Sequence, residues 1–289
     1  MLKFVLAARR KPEHTQERYF FEWGIIHVAL MLGTPTVMQT FRRYCQHFTV
    51  PGVTDDMLLH PLSEMAWDNM ADHWLESVAD LILPFHADDY PVRMQPHNFG
   101  DSAFVIQLND GGEELYREEG FYAGGVKLVH FIHRRADLSV EEFDTRFREH
   151  AGRLLDAGLA GGVVRKYVQS RAANVGSPED FKGTLFELGG LNEYAGIEEI
   201  WLPDVDGVES LCRGDHREAL LESYAGFADG RTFSMVTTER VVFDFVTPGH
   251  ISPQPAVLSP GTLEARVCAQ GFSGWNVPGW ESRLKAPVA

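Results

Sequence analysis

The chain has 289 residues, of which 44% are hydrophobic and 23% are charged, which suits a soluble globular protein of about two domains. This composition excludes disordered, collagen-like and coiled-coil proteins. The formal net charge of −15 disfavours nucleic acid and anionic membranes as partners.

The first residues, MLKFVLAARRKP, contain an apolar run that is too short for a signal peptide. No apolar run approaches the about 18 residues of a membrane span. Three widely spaced cysteines, at positions 45, 212 and 268, show no zinc-site spacing and indicate free thiols. We therefore expect a cytoplasmic protein.

The first half gives three clear elements. Its apolar pattern predicts a strand over 2–10, a helix over 15–32 and a strand over 41–48. Five further segments follow less clearly: a third strand, a second helix, an irregular loop rich in Pro and His, a last strand and a Gly-rich connection. In chain order these are 63–69, 71–83, 84–101, 104–108 and 110–125.

The second half gives clearer signals in the same order. Ser139 and Glu142 form a capping box at the start of its first helix. The predicted elements are a strand, a helix, two strands, a helix and a strand, over 126–135, 139–155, 164–171, 196–202, 206–228 and 233–245. The last 40 residues hold five of the 15 prolines, and we interpret them as an irregular arm docked by Trp275 and Trp280.

The two halves repeat each other. Three identical residues recur at one offset of 123 positions: His27 and His150, Tyr44 and Tyr167, Gln46 and Gln169. We also align Trp67 with Trp201. The shared βαββαβ order is the ferredoxin-like unit. We predict a repeat over 1–122, a second over 123–249 and an arm over 250–289.

A ferredoxin-like sheet with both helices on one face leaves its other face bare. Such an apolar patch is avoided by soluble monomers, and pairing two sheets face to face closes a barrel that buries it. We therefore predict an α+β fold in which the two repeats form an intramolecular barrel. The chain is then expected as a monomer or a homodimer.

The motifs of both halves resemble the EthD-like family of the dimeric α/β-barrel superfamily. The first copy reads Tyr19, Trp23 and His27 on the helix, then Tyr44, Cys45 and Gln46 on the strand. The second reads Phe143, Phe147 and His150, then Tyr167, Val168 and Gln169. One residue fewer separates Phe147 from His150 than Trp23 from His27. The resemblance covers most of 126–245 and implies the barrel fold and a substrate cleft near the helix histidine.

Acid–base side chains are the candidate catalytic groups. An imidazole with a pKa near 6.5 serves as general base or acid at neutral pH, and a phenol beside an amide is suited to holding a carbonyl or phenolate. The candidates are His27, His150, Tyr44, Tyr167 and His130. Each has a structural alternative, as a core histidine or a packed tyrosine. For substrate binding we select Trp23, Gln46, Gln169, Trp67, Trp201 and His133.

Other polar residues are weaker candidates. Glu198, Glu199 and Asp244 lie in apolar strands, and we expect them to face solvent, although burial would raise their pKa. His86, Asp88, Asp89 and His97 share a loop without a recognised metal spacing, so no metal is predicted. No dinucleotide, Walker A or hydrolase motif is present, and no cofactor is expected.

We therefore expect an enzyme without a cofactor that acts by proton transfer on a small apolar substrate, aromatic or polyketide-like. Lyase, cyclase, dehydratase and isomerase reactions all fit. Two alternatives stay open. One is an oxygenase, cofactor-free or with haem, because some barrel relatives bind haem through a histidine. The other is a barrel that binds a small molecule without catalysis.

Overall fold

The computed structural model describes residues 1–248, apart from 95, 96, 98, 185 and 188. Ten strands form a single sheet. The strands are β1 Leu2–Arg10, β2 Arg43–Thr49, β3 Asn69–Leu75, β4 Gly100–Asp110, β5 Glu113–Arg117, β6 Val126–Ile132, β7 Lys166–Arg171, β8 Gly190–Leu191, β9 Gly196–Leu202 and β10 Phe233–Asp244.

Eight α-helices accompany the sheet in the described part of the chain. They are α1 Gln16–Phe21, α2 Val28–Leu32, α3 Pro35–Thr40, α4 Val78–His86, α5 Asp89–Met94, α6 Val140–Ala160, α7 Val205–Arg213 and α8 Arg217–Ala225. A π-helical segment, Glu22–His27, joins α1 to α2.

The strand order confirms two ferredoxin-like repeats. The first repeat has the order β2-β3-β1-β4 and the second has the equivalent order β7-β9-β6-β10. Antiparallel pairing of β10 with β2 joins the repeats into one sheet. The α+β class and the tandem arrangement predicted from the sequence are therefore correct.

The strand β5 closes the sheet into a barrel. It follows β4 after two glycines and pairs with β7, while Asn109 and Ala172 form a bridge between the two ends of the strand order. Gly112 has a φ of +80°, and a Cβ there would lie 2.8 Å from Ser170 Oγ. Only glycine fits this crossing, because the position is both left-handed and crowded.

Apolar residues fill three separate cores. One lies between helices and sheet in the first repeat, around Phe4, Trp23 and Phe85. A second lies in the same place in the second repeat, around Leu128, Phe143 and Phe147. The third fills the inside of the barrel with residues of both repeats, such as Val5, Val129 and Phe131. Alternation along β1 and β6 directs neighbouring residues into different cores.

The β2–β3 loop of each repeat reaches across to the other repeat. In the first repeat this loop places Leu58 and Leu59 in the core of the second repeat. The corresponding loop of the second repeat places Phe181 and Phe186 in the core of the first. Each helix–sheet layer is thus completed by residues of the opposite half.

Several expectations for the first repeat are wrong. The third strand is β3, not 63–69, and the helix expected over 71–83 begins only at Val78. The counterpart of Trp201 is therefore Trp74, since each pairs with a lysine one position into the first strand of its repeat. The alignment of Trp67 with Trp201 is wrong because β3, with the sequence NMADHWL, is polar. It therefore does not show the apolar pattern of its counterpart GIEEIWL.

Smaller differences occur elsewhere. The region 84–101 contains the end of α4 and all of α5, and the Gly-rich connection contains β5. The helix expected over 206–228 is divided into α7 and α8. Cys45 and Cys212 are buried free thiols, and burial raises the pKa of Cys212 to about 12. Cys268 and the predicted C-terminal arm, with Trp275 and Trp280, lie outside the described residues.

Candidate functional site

The helix that carries the predicted histidine of the first repeat changes its winding at that point. Thr15 caps α1 by accepting a hydrogen bond from the Arg18 backbone N–H, and the π-helical segment then carries Trp23 and His27. The equivalent helix of the second repeat, α6, is α-helical throughout. A π-helical turn arises when one residue is added to an α-helix, and it is frequent at functional sites.

The position numbers agree with such an added residue. Trp23 and Phe147 are 124 positions apart, whereas His27 and His150 are 123 apart. The first repeat therefore holds one residue more than the second between the aromatic residue and the histidine. The extra residue that makes the spacing of the two sequence motifs different is the residue that the π-helical turn accommodates.

A cavity of about 630 Å³ lies beside this turn, between the helices and the sheet of the first repeat. Its volume is within the about 300–1,000 Å³ of small-molecule sites. We call it the helix-side cavity. Its apolar lining comes from Leu6, Ala8, Trp23, Met94, Phe99, Phe104 and Phe186.

Three buried polar atoms in the lining have no hydrogen-bond partner among the described residues. They are Tyr19 Oη, His27 Nδ1 and Asn69 Oδ1. Leaving a buried polar atom unpaired costs about 1–3 kcal/mol. Three such atoms around one apolar space indicate a site that a ligand with its own polar groups completes.

The electrostatics of the cavity keep its histidine neutral. Burial, together with the neighbouring His97 and His73, lowers the pKa of His27 well below its usual value. Burial also raises the pKa of the Tyr19 phenol well above its usual value, and the charge of Asp68 adds to this shift. At neutral pH His27 is therefore a proton acceptor and Tyr19 a hydrogen-bond donor.

A second histidine of the cavity is held by a carboxylate. His97 Nε2 lies 3.0 Å from Glu22 Oε2, and the His97 ring stands 6.1 Å from the His27 ring. Burial alone would raise the pKa of Glu22, but the hydrogen bond and the charge of His97 lower it. The Glu22 carboxylate fixes the orientation of His97 beside His27.

Haem fits this cavity only in part. His27 offers an imidazole nitrogen that has no hydrogen-bond partner among the described residues, and such a nitrogen is the donor that a haem iron takes. The polar residues at the mouth are one lysine and two carboxylates, namely Lys11, Glu13 and Asp101. This charge set does not suit the two negative propionates of a haem, so the residues do not fit the whole group.

The same layer of the second repeat holds a packed polar cluster. The carboxylate of Glu198 is fully buried and accepts hydrogen bonds from the hydroxyls of Tyr167 and Tyr224. His130 Nδ1 lies 2.8 Å from Glu198 Oε2, and His150 Nε2 lies 3.7 Å from Glu198 Oε1. We call these five residues the Glu198 cluster.

The carboxylate of the Glu198 cluster is ionised at neutral pH. Burial would raise the pKa of Glu198, but the bond from His130 and the nearby imidazoles and phenol lower it to about 2. Burial lowers the pKa of His150 to about 4, against the raising effect of Glu198. Glu198 is therefore ionised and His150 neutral.

Loop residues of the first repeat cover the cluster. The ring of His60 stands 4.4 Å from that of Tyr224 and 5.3 Å from that of His130. Burial lowers the pKa of His60 to about 3. None of the cavities described here is lined by a residue of the Glu198 cluster.

The predicted tyrosines and glutamines of the second strands form one pair in each repeat, away from the helix-side cavity. Gln46 Nε2 donates to Tyr44 Oη at 2.8 Å and to the Trp23 backbone carbonyl at 2.9 Å. Gln169 makes the same two bonds, to Tyr167 Oη and to the Phe147 carbonyl, each at 2.7 Å. In both repeats the Tyr–Gln pair ties the first helix to the second strand and lies outside the helix-side cavity.

Three further candidates lie apart from that cavity. Trp67 lines a smaller cavity of about 220 Å³. Trp201 lies at one end of the barrel interior, and His133 pairs with Asp229 at 2.9 Å. Of the candidates selected from the sequence, Trp23 and His27 line the helix-side cavity.

The expectation that the strand carboxylates face solvent is wrong. Glu198, Glu199 and Asp244 are all at least 97% buried. Their pKa values are lowered, not raised, because cations, imidazoles or hydroxyl and backbone N–H donors surround each carboxylate. In the part of the chain that the structure describes, no group of three or more His, Cys, Asp or Glu side chains is arranged to hold a metal ion.

Sequence reasoning missed several residues of the cavity. Tyr19 was present in the quoted motif, but its position one turn before Trp23 also suits simple packing. Asn69 lies in a strand that the sequence pattern does not reveal. Glu22 does not line the cavity but holds His97, and nothing in the sequence distinguishes it from an ordinary helix-surface carboxylate. Phe186 belongs to the other repeat, and no local pattern indicates that its loop crosses over.

No known protein family profile and no curated protein matches the chain. Solved structures are similar in fold. An anthrone oxidase-like protein has a TM-score of 0.51 and 11% identity, covering 86% of this chain and 96% of its own. A chlorite dismutase from Candidatus Nitrospira defluvii has a TM-score of 0.44 and 10% identity, covering 82% and 90%.

A protein from Lactobacillus acidophilus assigned as a monooxygenase has a TM-score of 0.44 and 7% identity, covering 83% of this chain and 94% of its own. The similarity to the anthrone oxidase-like protein is one of fold alone, that of the dimeric α/β barrel. Assignment to the EthD-like family stays a prediction. Within the described residues, no helix has the length and apolarity needed to cross a membrane.

Proposed function

We propose that the chain is an enzyme that binds a small aromatic or polyketide-like molecule in the helix-side cavity and transfers protons without a cofactor. The observation that carries this proposal is the set of three unpartnered polar atoms, of Tyr19, His27 and Asn69, in an apolar cavity of about 630 Å³. The EthD-like motif contains two of these residues and supports the same site.

The proposed chemistry follows from the protonation states. Neutral His27 accepts a proton from a phenol or from a carbon next to a carbonyl group. The Tyr19 hydroxyl donates a hydrogen bond to the oxygen on which negative charge then develops. Return of the proton to another atom completes an isomerisation, and loss of a leaving group completes a lyase or dehydratase reaction.

Anthrone is a suitable probe because its acidic C–H lies between two aromatic rings, opposite a carbonyl. A similar structure also carries this compound in its name. We expect saturable binding of anthrone, measured by the quenching of tryptophan fluorescence. We also expect the protein to accelerate the exchange of the anthrone C–H with D₂O, measured by NMR in the absence of oxygen. In His27→Gln the exchange should slow by about 100-fold or more, the usual weight of a general base.

His150→Gln is the matched control, because it changes the equivalent histidine of the other repeat. Equal loss in both variants would contradict the assignment of His27. Binding without accelerated exchange would indicate a non-catalytic binding barrel. Absence of binding by anthrone and by other polycyclic phenols would overturn the proposed site, and a Soret band in the purified protein would favour a haem oxygenase.

A further inference from the structure

Another cavity, of about 160 Å³, lies at one end of the barrel interior. We call it the axial cavity. It is on the opposite face of the sheet from the helix-side cavity, because Lys3 alternates with Phe4 along β1. Three pairs of equivalent residues from the two repeats line it: Lys3 and Lys127, Trp74 and Trp201, Arg43 and Lys166.

The strand registers establish that these pairs are equivalent. Trp74 lies opposite Lys3 on one side and opposite Arg43 on the other. Trp201 lies in the same way between Lys127 and Lys166. A lysine, a tryptophan and a second basic residue therefore recur at matching positions of the two halves, which points to a common use.

Each indole ring is bracketed by two cations. Lys3 Nζ is 5.2 Å from the centre of the Trp74 ring, and the Arg43 guanidinium is 4.5 Å from it. Lys127 Nζ and Lys166 Nζ are 4.1 Å and 4.6 Å from the Trp201 ring. The Trp201 indole N–H is buried and has no hydrogen-bond partner among the described residues.

The two lysines in the inner part of the cavity are paired with carboxylates of the protein itself. Lys127 Nζ lies 2.8 Å from Glu199 Oε1 and 2.5 Å from Glu239 Oε2, and Lys3 also pairs with Glu199. Asp72 stands 3.4 Å from Lys3 Nζ behind them. These buried charges form a closed network that holds the two lysines in place.

The outer part has more positive than negative groups. Lys166 and Arg117 share one carboxylate, that of Glu114, which is half exposed. Arg43 adds a third basic group to this outer ring, and its Nε lies 3.3 Å from the Asp244 carboxylate. The three basic groups of the outer ring therefore face two carboxylates, although the chain carries a net charge of −15. A local positive excess in an acidic protein concentrates anions.

We propose that the axial cavity binds a small oxyanion with two acidic groups, which lies between Arg43 and Lys166 and replaces Glu114 as the partner of Lys166 and Arg117. The two-fold arrangement of cations suits a ligand with an acidic group at each end. Small dicarboxylates and pyrophosphate share this chemistry. The site is independent of the proton-transfer reaction proposed for the helix-side cavity.

The experiment is calorimetric titration of the full chain with succinate and with pyrophosphate, at an ionic strength held constant with sodium chloride. We expect saturable binding of one or both at one site per chain. Glu114→Gln should bind about fivefold more tightly, because it removes the carboxylate that competes for Lys166 and Arg117, and an ion pair of this kind contributes up to about 1 kcal/mol. Lys166→Gln should bind about fivefold more weakly.

The controls change the same charges elsewhere. Glu113→Gln alters the neighbouring residue of β5, which pairs with Arg148 on the other face. Arg213→Gln removes a distant surface cation. Preference for succinate or for pyrophosphate identifies which source of the anion fits. Absence of saturable binding by both, or equal affinities of Glu114→Gln and Glu113→Gln, would overturn the proposal.

Discussion

The two repeats use the same architectural layer in opposite ways. Between helices and sheet, the first repeat holds a cavity with unpaired polar atoms, whereas the second holds the paired Glu198 cluster. The register explains part of the difference, because Ala71 and Leu6 occupy the positions of Glu198 and His130. The two repeats thus share one strand order, but the helix–sheet layer of the first contains a pocket and that of the second is filled by side chains.

The largest expected effect is in the filled layer. Glu198→Ala removes the acceptor for two buried tyrosines and the partner of two histidines, so the unfolding free energy should fall by about 3–5 kcal/mol. Urea unfolding measures it. Glu222→Ala, which removes a solvent-exposed carboxylate from α8, should change stability by less than about 0.5 kcal/mol. Similar losses in the two variants would contradict a structural role for the cluster.

Acidification should weaken the same layer. The pKa of His150 is about 4 in the folded chain and about 6.5 when unfolded. The contribution of His150 to the free energy of unfolding is therefore complete above about pH 6.5. It is lost as the pH falls toward 4, by about 3 kcal/mol in total.

Glu198 acts in a lower window. Its folded pKa of about 2 lies below the unfolded value, so its contribution is present above about pH 4.3 and is lost on further acidification. Urea midpoints between pH 7 and pH 4 measure the histidine effect. His150→Gln should have a shallower pH dependence in that range, and an unchanged slope would contradict the assignment.

The Tyr–Gln pairs are the feature that the two layers share, so they offer a matched test. Gln46→Met and Gln169→Met each leave a buried tyrosine hydroxyl and a helix carbonyl without their donor, at a cost of about 1–3 kcal/mol. Gln46 also accepts a hydrogen bond from Arg240, so its loss should be the larger. Thermal or urea unfolding compares them, and a negligible cost in both would show that the pairs do not fasten the helices.

The smallest expected change in stability comes from the π-helical turn. Deleting Ile25, whose side chain is 52% exposed, should restore an α-helix and give the first repeat the His150 spacing. Anthrone binding should weaken by about tenfold, or about 1.4 kcal/mol, because His27 rotates relative to the cavity. The free energy of unfolding should change by less than about 1 kcal/mol. Full retention of anthrone binding would mean that the turn does not position His27.

The fold was predictable because the second repeat obeys its local signals. The capping box of Ser139 and Glu142 is present, and the strand 196–202 has the predicted bounds. The first repeat was harder to predict because β3 buries Asp72 and His73 in a strand that reads as polar. Asp72 is stabilised by Lys3 and His47 on the two neighbouring strands, and the His73 ring stacks on Tyr44. These partners lie on other strands, so the local sequence pattern does not reveal them.

The site was predictable only where one helix carries it. Trp23 and His27 are found by helical spacing, but Phe186 and His97 reach the same cavity from distant segments. Strand spacing gave no indication that His130 meets Glu198 and Tyr224, since those residues lie 68 and 94 positions further along the chain.

Because the two β2–β3 loops cross over, each repeat's helix–sheet layer depends on residues that the other half of the sequence encodes. A wall of the first repeat's pocket, Phe186, is encoded in the second repeat, and a cover of the second repeat's cluster, His60, is encoded in the first. Exchanging whole repeats between related sequences would therefore separate the helix-side cavity from Phe186 and the Glu198 cluster from His60. Chimaeras intended to transfer substrate preference should exchange residues 173–195 together with the first repeat's helices.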